Sequence, residues 1–377
     1  MIIQSKRIWI GGQFIDAQVE VIDDKIVNVY PYGTKEVDKD YGDKRIVPGF
    51  IDVHAHGAYG FDTNDANVEG LERWLKRLPE EGITGILPTT VTQSEEVLTK
   101  ALKNVAKVYK LNPEGAQILG VHFEGPYLDM ENKGAQPPQY ILDPNLEQFK
   151  KYQESAEGLI KYITMATEHD KDHQLTQYAS QNGVVVSIGH SGATYEEAVM
   201  GIANGANSFT HSFNGMTGLH HRDPNVVGAI MRSNDVFAEI IADGRHVNPV
   251  VVNSLFKTKP NNLLLITDSL TLKGMPIGDY ELGGNKIIVD EYGTAFIKGT
   301  NTISGSTLKV NEGLRNLVND MLVPFDQALN SATLNPARVL GIDDHKGKIK
   351  VGFDADMVVL EDNYEVVQTY SLGKACL

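Results

Sequence analysis

This chain of 377 residues is short of three things: cysteine, positive charge and long apolar runs. Its one cysteine, Cys376, leaves no possibility of an intrachain disulfide, which suits a reducing cytosol. Acidic residues outnumber basic ones by 49 to 34, for a formal charge of −15. General nucleic-acid binders and binders of anionic membranes need a positive surface, so both classes are excluded. A small anionic substrate, which needs only local cations, is not. No stretch approaches the roughly 18 apolar residues of a membrane helix. The N-terminus, MIIQSKRIWIGGQF, has no apolar core of the signal-peptide kind. A soluble cytoplasmic protein is expected. Internal repeats and charged tails are also missing, and no G-x-G-x-x-G follows the first strand of the central region, which argues against an open dinucleotide-binding sheet.

The composition that remains, 41% hydrophobic and 22% charged, is that of a globular protein with a large core. Residues 1–48 read as short strands joined by tight turns at Gly11-Gly12 and Asp23-Asp24. From residue 49 the texture changes. Eight short apolar runs alternate with amphipathic stretches: GFIDVHAH, GITGILPTT, QILGVHFEGP, KYITMATEH, GVVVSIGHS, NSFTHSFN, VFAEIIADG and NLLLITDS. Repeated βα units in this number predict an α/β fold, a (β/α)8 TIM-like barrel over 49–343, with a hairpin insert near 279–299. The strand-rich tail, 344–377, is expected to return to the N-terminal strands and complete a small β-sandwich domain built from both chain ends.

Catalytic groups of such barrels sit at the C-terminal ends of the strands. The first run ends at His54 and His56, two residues apart and therefore on one face of a strand. The third ends at Glu124, the fifth at His190, the sixth at His211 and the eighth at Asp268. Each has an ordinary structural use: a hydrogen-bonded core histidine, a carboxylate that binds backbone amides, an aspartate that caps a helix. All six at strand ends is another matter. Desolvated carboxylates and imidazoles gathered at one mouth need a counter-charge, and this donor set suits zinc or iron. His122, two residues before Glu124, is expected to lie one layer deeper, in the core.

The strings PGFIDVHAHG, HFEGPYL, IGHSGAT, THSFNGM, IADGRH, TDS and SGST occur in an order that resembles the N-acetylglucosamine-6-phosphate deacetylases of the amidohydrolase superfamily. The likeness runs from about residue 48 to the C-terminus. It implies deacetylation of N-acetylglucosamine 6-phosphate in amino-sugar catabolism. It also implies that Glu124, His190 and His211 hold one divalent metal and that His54 and His56 hold a second with Glu124 shared, so one or two ions per subunit. Asp268 is similar to the family's catalytic aspartate and is expected to touch the metal. Arg222 and His246 would bind the phosphate, with Asn214 and Gly215 adding sugar-phosphate contacts. Arg222 would reach the neighbouring subunit's site, which implies a homodimer. Gln136 stands where well-known members carry a carbonyl-polarising histidine; its amide can donate a hydrogen bond but cannot carry charge. Two other readings remain open at this point: an amidohydrolase acting on a cyclic amide or another N-acyl substrate, and a non-catalytic barrel that binds a sugar phosphate. The lack of a lysine at the end of the fourth run, KYITMATEH, counts against the many amidohydrolases that carry a bridging carboxylated lysine there.

Overall fold

The computed structural model describes residues 1–377 except 283, 284, 291–293, 301, 302 and 304. Eight parallel strands form the barrel: Phe50–Ala55, Ile83–Thr90, Val121–Glu124, Ile160–Met165, Val185–Ile188, Ala206–Phe209, Ala238–Ile241 and Leu263–Ile266. The first six pair in chain order, and so do the last two. Backbone hydrogen bonds close the circle. Phe237 N–H reaches Asn207 O at 2.9 Å on one side of the seventh and eighth strands, and Asp268 N–H reaches His54 O at 2.8 Å on the other.

Local chemistry accounts for the helices between the strands. Asn67 accepts from Gly70 N–H at 2.7 Å to start helix Val68–Arg77. Thr194 and Glu197 form a reciprocal capping box at the start of Tyr195–Ala203. Such caps satisfy amide groups that the first turn leaves without partners. The apolar helix faces, such as Leu71, Trp74 and Leu75, pack on the outer face of the strands in one continuous core.

The strands from the two chain ends form one eight-stranded mixed sheet, with Val358 opposite Val47 across the ladder that joins the tail to residues Arg45–Pro48. Its ladder runs unbroken from Lys374–Ala375 to Lys25–Pro31, and its strands enclose an apolar core of their own that includes Ile8, Val19, Ile46, Met357 and Val359. The turn at Gly11-Gly12 has both residues at positive φ, 62° and 85°, the twist that a two-residue hairpin requires. After the eighth strand, Gly278–Leu282, Asn285–Val289 and Ala295–Ile297 make a three-stranded antiparallel meander where a hairpin was expected; parts of that stretch lie outside the described residues. Among the described residues no helix is long and apolar enough to cross a membrane.

One buried ion cluster ties this sheet to the base of the barrel. Lys346, 5% exposed, donates to Asp356 Oδ2 at 2.7 Å and to Gln117 Oε1 at 2.9 Å, and pairs with Asp354 at 2.7 Å. Breaking a buried pair leaves an uncompensated charge. Lys346→Ala is therefore expected to destabilise the protein by about 3–5 kcal/mol, read as a lower urea midpoint with an unchanged denaturant slope.

Candidate active site and metal centre

Strand geometry delivers the site residues to one mouth of the barrel. His54 lies within the first strand, His56 just beyond it, and Glu124 is the last residue of the third. His190, His211 and Asp268 each sit two residues past a strand end, and each has a left-handed backbone, with φ of 47°, 27° and 50°. Residues with a Cβ rarely adopt that conformation, and it persists only where the surroundings hold it. Here it turns three chemically active side chains back over the barrel opening.

All six converge. His54, His190 and His211 place Nε2 3.4 Å from Glu124 Oε1. His56 Nε2 lies 3.3 Å from Glu124 Oε2 and 3.1 Å from Asp268 Oδ1, and His54 Nε2 lies 3.6 Å from the same Asp268 oxygen. Two overlapping triads result, His54/His56/Glu124 and Glu124/His190/His211, each with its donor atoms within 4.8 Å of one another.

The outer ring nitrogens show what these donors are for. His190 Nδ1 faces Asn132 O at 2.9 Å, His211 Nδ1 faces Asn214 O at 3.0 Å, and His54 Nδ1 faces a Glu239 carboxylate oxygen at 2.8 Å. Carbonyl and carboxylate oxygens only accept, so each Nδ1 carries the proton and each Nε2 presents a lone pair. The Nε2 atoms of His190 and His211 lie 3.1 Å apart, and His54 Nε2 and Glu124 Oε1 are buried with no hydrogen-bond partner. Lone pairs and carboxylate oxygens turned toward common points are the donor set of a divalent cation. The carboxylates give the centre a strong attraction for positive charge: burial alone would pull His54 down, yet Glu239, Glu124 and Asp268 push it up to about 9, so that without a metal a proton takes the cation's place on Nε2. Burial would raise Asp268, yet His54, His56 and His211 bring it down to about 2.

His122 stands apart from this set. It is also near His54 and Glu239, but its Nδ1 meets Val53 O at 2.9 Å and its Nε2 meets Thr164 Oγ1 at 2.7 Å. Burial lowers it to about 3, so it is neutral with both nitrogens used, the core histidine expected.

A cavity of about 850 Å³ opens over the centre. Of the expected ligand-contacting residues, Gln136, Asn214, Gly215 and His246 line it together with His56, Glu124, His190, His211 and Asp268. Gln136 donates to Glu124 Oε2 at 2.7 Å and accepts from Thr92 N–H at 2.9 Å, so its amide is held against the shared carboxylate. His246 Nδ1 meets Asp243 at 2.6 Å. Gly215 comes so near His190 that a Cβ there would meet Nδ1 at 2.9 Å. Arg222 is outside this cavity: it is exposed on a loop, its guanidinium 2.9 Å from the His221 ring. Ser304, the first residue of the SGST string, lies outside the described residues.

Two carboxylates of the site have no counterpart among the sequence-based expectations. Asp52 is fully buried and accepts from Thr267 Oγ1 at 2.6 Å and His54 N–H at 3.1 Å, binding the first strand to the eighth. Glu239 is fully buried in the seventh strand, behind His54. The one available signal was an acidic residue inside an otherwise apolar run, FIDVH in one case and VFAEII in the other.

With this geometry in view, the likeness to known proteins becomes specific. A sequence profile of the Amidohydrolase family matches residues 45–376, and the chain belongs to that family. Within it, the chain is 38% identical to N-acetylglucosamine-6-phosphate deacetylase of Bacillus subtilis over 336 residues, covering 88% of this chain and 84% of that one. It is 33% identical to N-acetylgalactosamine-6-phosphate deacetylase of Escherichia coli O157:H7, covering 96% and 95%. The crystal structure of N-acetyl-D-glucosamine-6-phosphate deacetylase from Mycobacterium smegmatis superposes over 100% of both chains with a TM-score of 0.94, at 29% identity.

Because Glu124 belongs to both triads, its removal is expected to abolish metal binding. Added zinc should stabilise metal-free parent protein by about 2.7 kcal/mol at 100 times the dissociation constant, seen as a higher Tm. Glu124→Ala should show no such rise.

Proposed function

We propose that this chain hydrolyses the N-acetyl group of N-acetylglucosamine 6-phosphate, releasing acetate and glucosamine 6-phosphate. The observation that carries the reading is the convergence of Glu124, four imidazoles and Asp268 at the floor of one cavity, in a chain that matches deacetylases of 6-phosphorylated N-acetylhexosamines over most of its length.

In this reading Glu124, His190 and His211 hold one divalent cation, zinc or iron, and His54 and His56 hold a second with Glu124 shared. Such a cation makes a nucleophile available at neutral pH and polarises the acetamide carbonyl. The remaining work belongs to the chain. Asp268, whose carboxylate lies 3.1 Å from His56 Nε2 at the floor of the cavity, takes a proton from the attacking water and returns it to the leaving nitrogen. Without that proton the amine is a poor leaving group. Gln136 spends one N–H on Glu124; an amide nitrogen carries two, and the second serves the carbonyl oxygen.

The phosphate needs positive charge, and no lysine or arginine lines the cavity among the described residues. His246, Asn214 and Gly215 are in place there. In this reading the enzyme is a homodimer and Arg222, exposed and clear of its own cavity, enters the cavity of the partner subunit. In this reading the reaction is cytoplasmic; a charged phosphosugar crosses a lipid bilayer poorly and stays in the compartment where it is formed.

Acetate release from N-acetylglucosamine 6-phosphate tests the activity directly, with the 4-epimeric galactosamine compound assayed alongside. Release from neither, with hydrolysis of a cyclic amide, would transfer the chain to another amidohydrolase activity. Asp268→Asn is expected to bind metal and substrate while kcat falls roughly 10²–10⁴-fold. Arg222→Ala should raise KM for the phosphorylated sugar by roughly 10- to 100-fold, as expected for loss of a charge-assisted hydrogen bond. Mixing the two variants, after exchange of subunits, should restore turnover, because a mixed dimer has one site with an intact Asp268 and a partner's intact arginine. No recovery in verified mixed dimers would remove the intersubunit role.

A further inference from the structure

Glu239 takes no part in the steps above, yet it is fully buried in the middle of the seventh barrel strand. Its neighbours Ala238 and Ile240 belong to the apolar layer between strands and helices. Glu239, one residue out of phase, points the other way, toward the imidazoles. A single oxygen, Oε2, accepts twice: from His54 Nδ1 at 2.8 Å and from the backbone N–H of His211 at 3.0 Å. His54 belongs to one metal-binding triad and His211 to the other.

We infer that Glu239 is a positioning residue that supports one ligand in each triad, setting the tautomer of His54 and clamping the backbone from which His211 projects. The inference rests on the metal reading above. Two physical consequences follow from the shared acceptor. With the His54 proton drawn to Nδ1, the Nε2 lone pair has no choice but to face the centre, and a carboxylate behind an imidazole also makes it a stronger ligand. At His211, φ is 27°, a backbone conformation that costs energy unless something outside the residue holds it. The N–H bond to Glu239 does so from the adjacent strand. His211 is oriented at Nδ1 by a carbonyl of its own loop, Asn214 O, and His190 by Asn132 O from the loop that follows the third strand. His54 has no such loop, so its orientation comes from across the barrel.

Glutamine and methionine match glutamate in size and separate the alternatives. The carbonyl oxygen of a glutamine can occupy the place of Oε2 and accept both hydrogen bonds; methionine fills the volume and accepts neither. By chelator competition, Glu239→Met is expected to hold zinc about 10- to 100-fold more weakly than the parent, and Glu239→Gln to recover most of that loss. A role in packing alone would leave Met and Gln alike. Equal zinc affinity in parent and Glu239→Met sinks the assignment of Glu239 and leaves the metal centre standing, whereas a parent chain that takes up no zinc sinks both. A second measurement needs no variant. In zinc-loaded parent protein labelled with ¹⁵N-histidine, long-range ¹H–¹⁵N correlations should find the His54 proton on Nδ1; a proton on Nε2 overturns the inference.

Discussion

The upper end of this barrel depends on one electrostatic constraint. A buried carboxylate at the cavity floor, Glu124, sits 3.4 Å from three imidazole nitrogens whose other ring nitrogens are each held by an acceptor. Removing such groups from water costs several kcal/mol per ion. Without a metal the cost is offset only by taking up protons, as the raised His54 and the lowered Asp268 indicate. A divalent cation at the centre would attract all of these donors at once and release those protons. In the proposed enzyme the same charge would serve the chemistry, so the group that would stabilise the site would also make water reactive.

Around that point the support is layered outward. The carbonyls that orient His190 and His211 belong to loops, and these loops are themselves tied down. Asp129 accepts from Asn132 N–H at 2.9 Å and from its side chain at 2.7 Å, holding the turn that presents Asn132 O. Glu168 binds Ser191 Oγ and Gly192 N–H, next to His190. On the opposite rim, the fully buried pair Lys273–Glu81, at 2.6 Å, fixes the chain as it leaves the eighth strand. Much of the site sits on loops, as is usual on this scaffold, and these loops carry specific polar contacts with their surroundings.

The barrel strands are legible because each apolar run stops at a polar residue and gives way to an amphipathic helical stretch; the run boundaries lie within a few residues of the observed strands. The site is legible for the same reason, since polar residues at strand ends share one mouth. Other features are not. Nothing about histidine or aspartate announces a left-handed backbone, so the turns at His190, His211 and Asp268 emerge only in three dimensions. A single acid inside an apolar strand, such as Asp52 or Glu239, reads equally well as an outward-facing residue, because its partner is contributed by a distant strand. Gln136 is recognisable as a departure from a family pattern, but its bond to Glu124 is a matter of spacing that no linear string contains. The β-strands at the two chain ends are visible individually; their union into one sheet depends on Met357–Leu360 pairing with Arg45–Pro48, some three hundred residues away.

The charge balance of the cavity has a consequence for how substrate and metal act on one another. Asp62, Asp65, Glu124 and Asp268 all line it, no lysine or arginine does among the described residues, and the whole chain carries −15. A phosphorylated sugar entering alone would meet a field of its own sign. In the proposed enzyme two sources of positive charge reverse that field: the cations on the floor and an arginine from the partner at the rim. Each then favours the binding of the anion, and by linkage the anion favours each of them in return. Dimer, metal and substrate are on this account coupled through the same few ångströms of cavity. An acidic protein can therefore select an anionic substrate without becoming a general binder of anions, because the attractive charge exists only where all three meet.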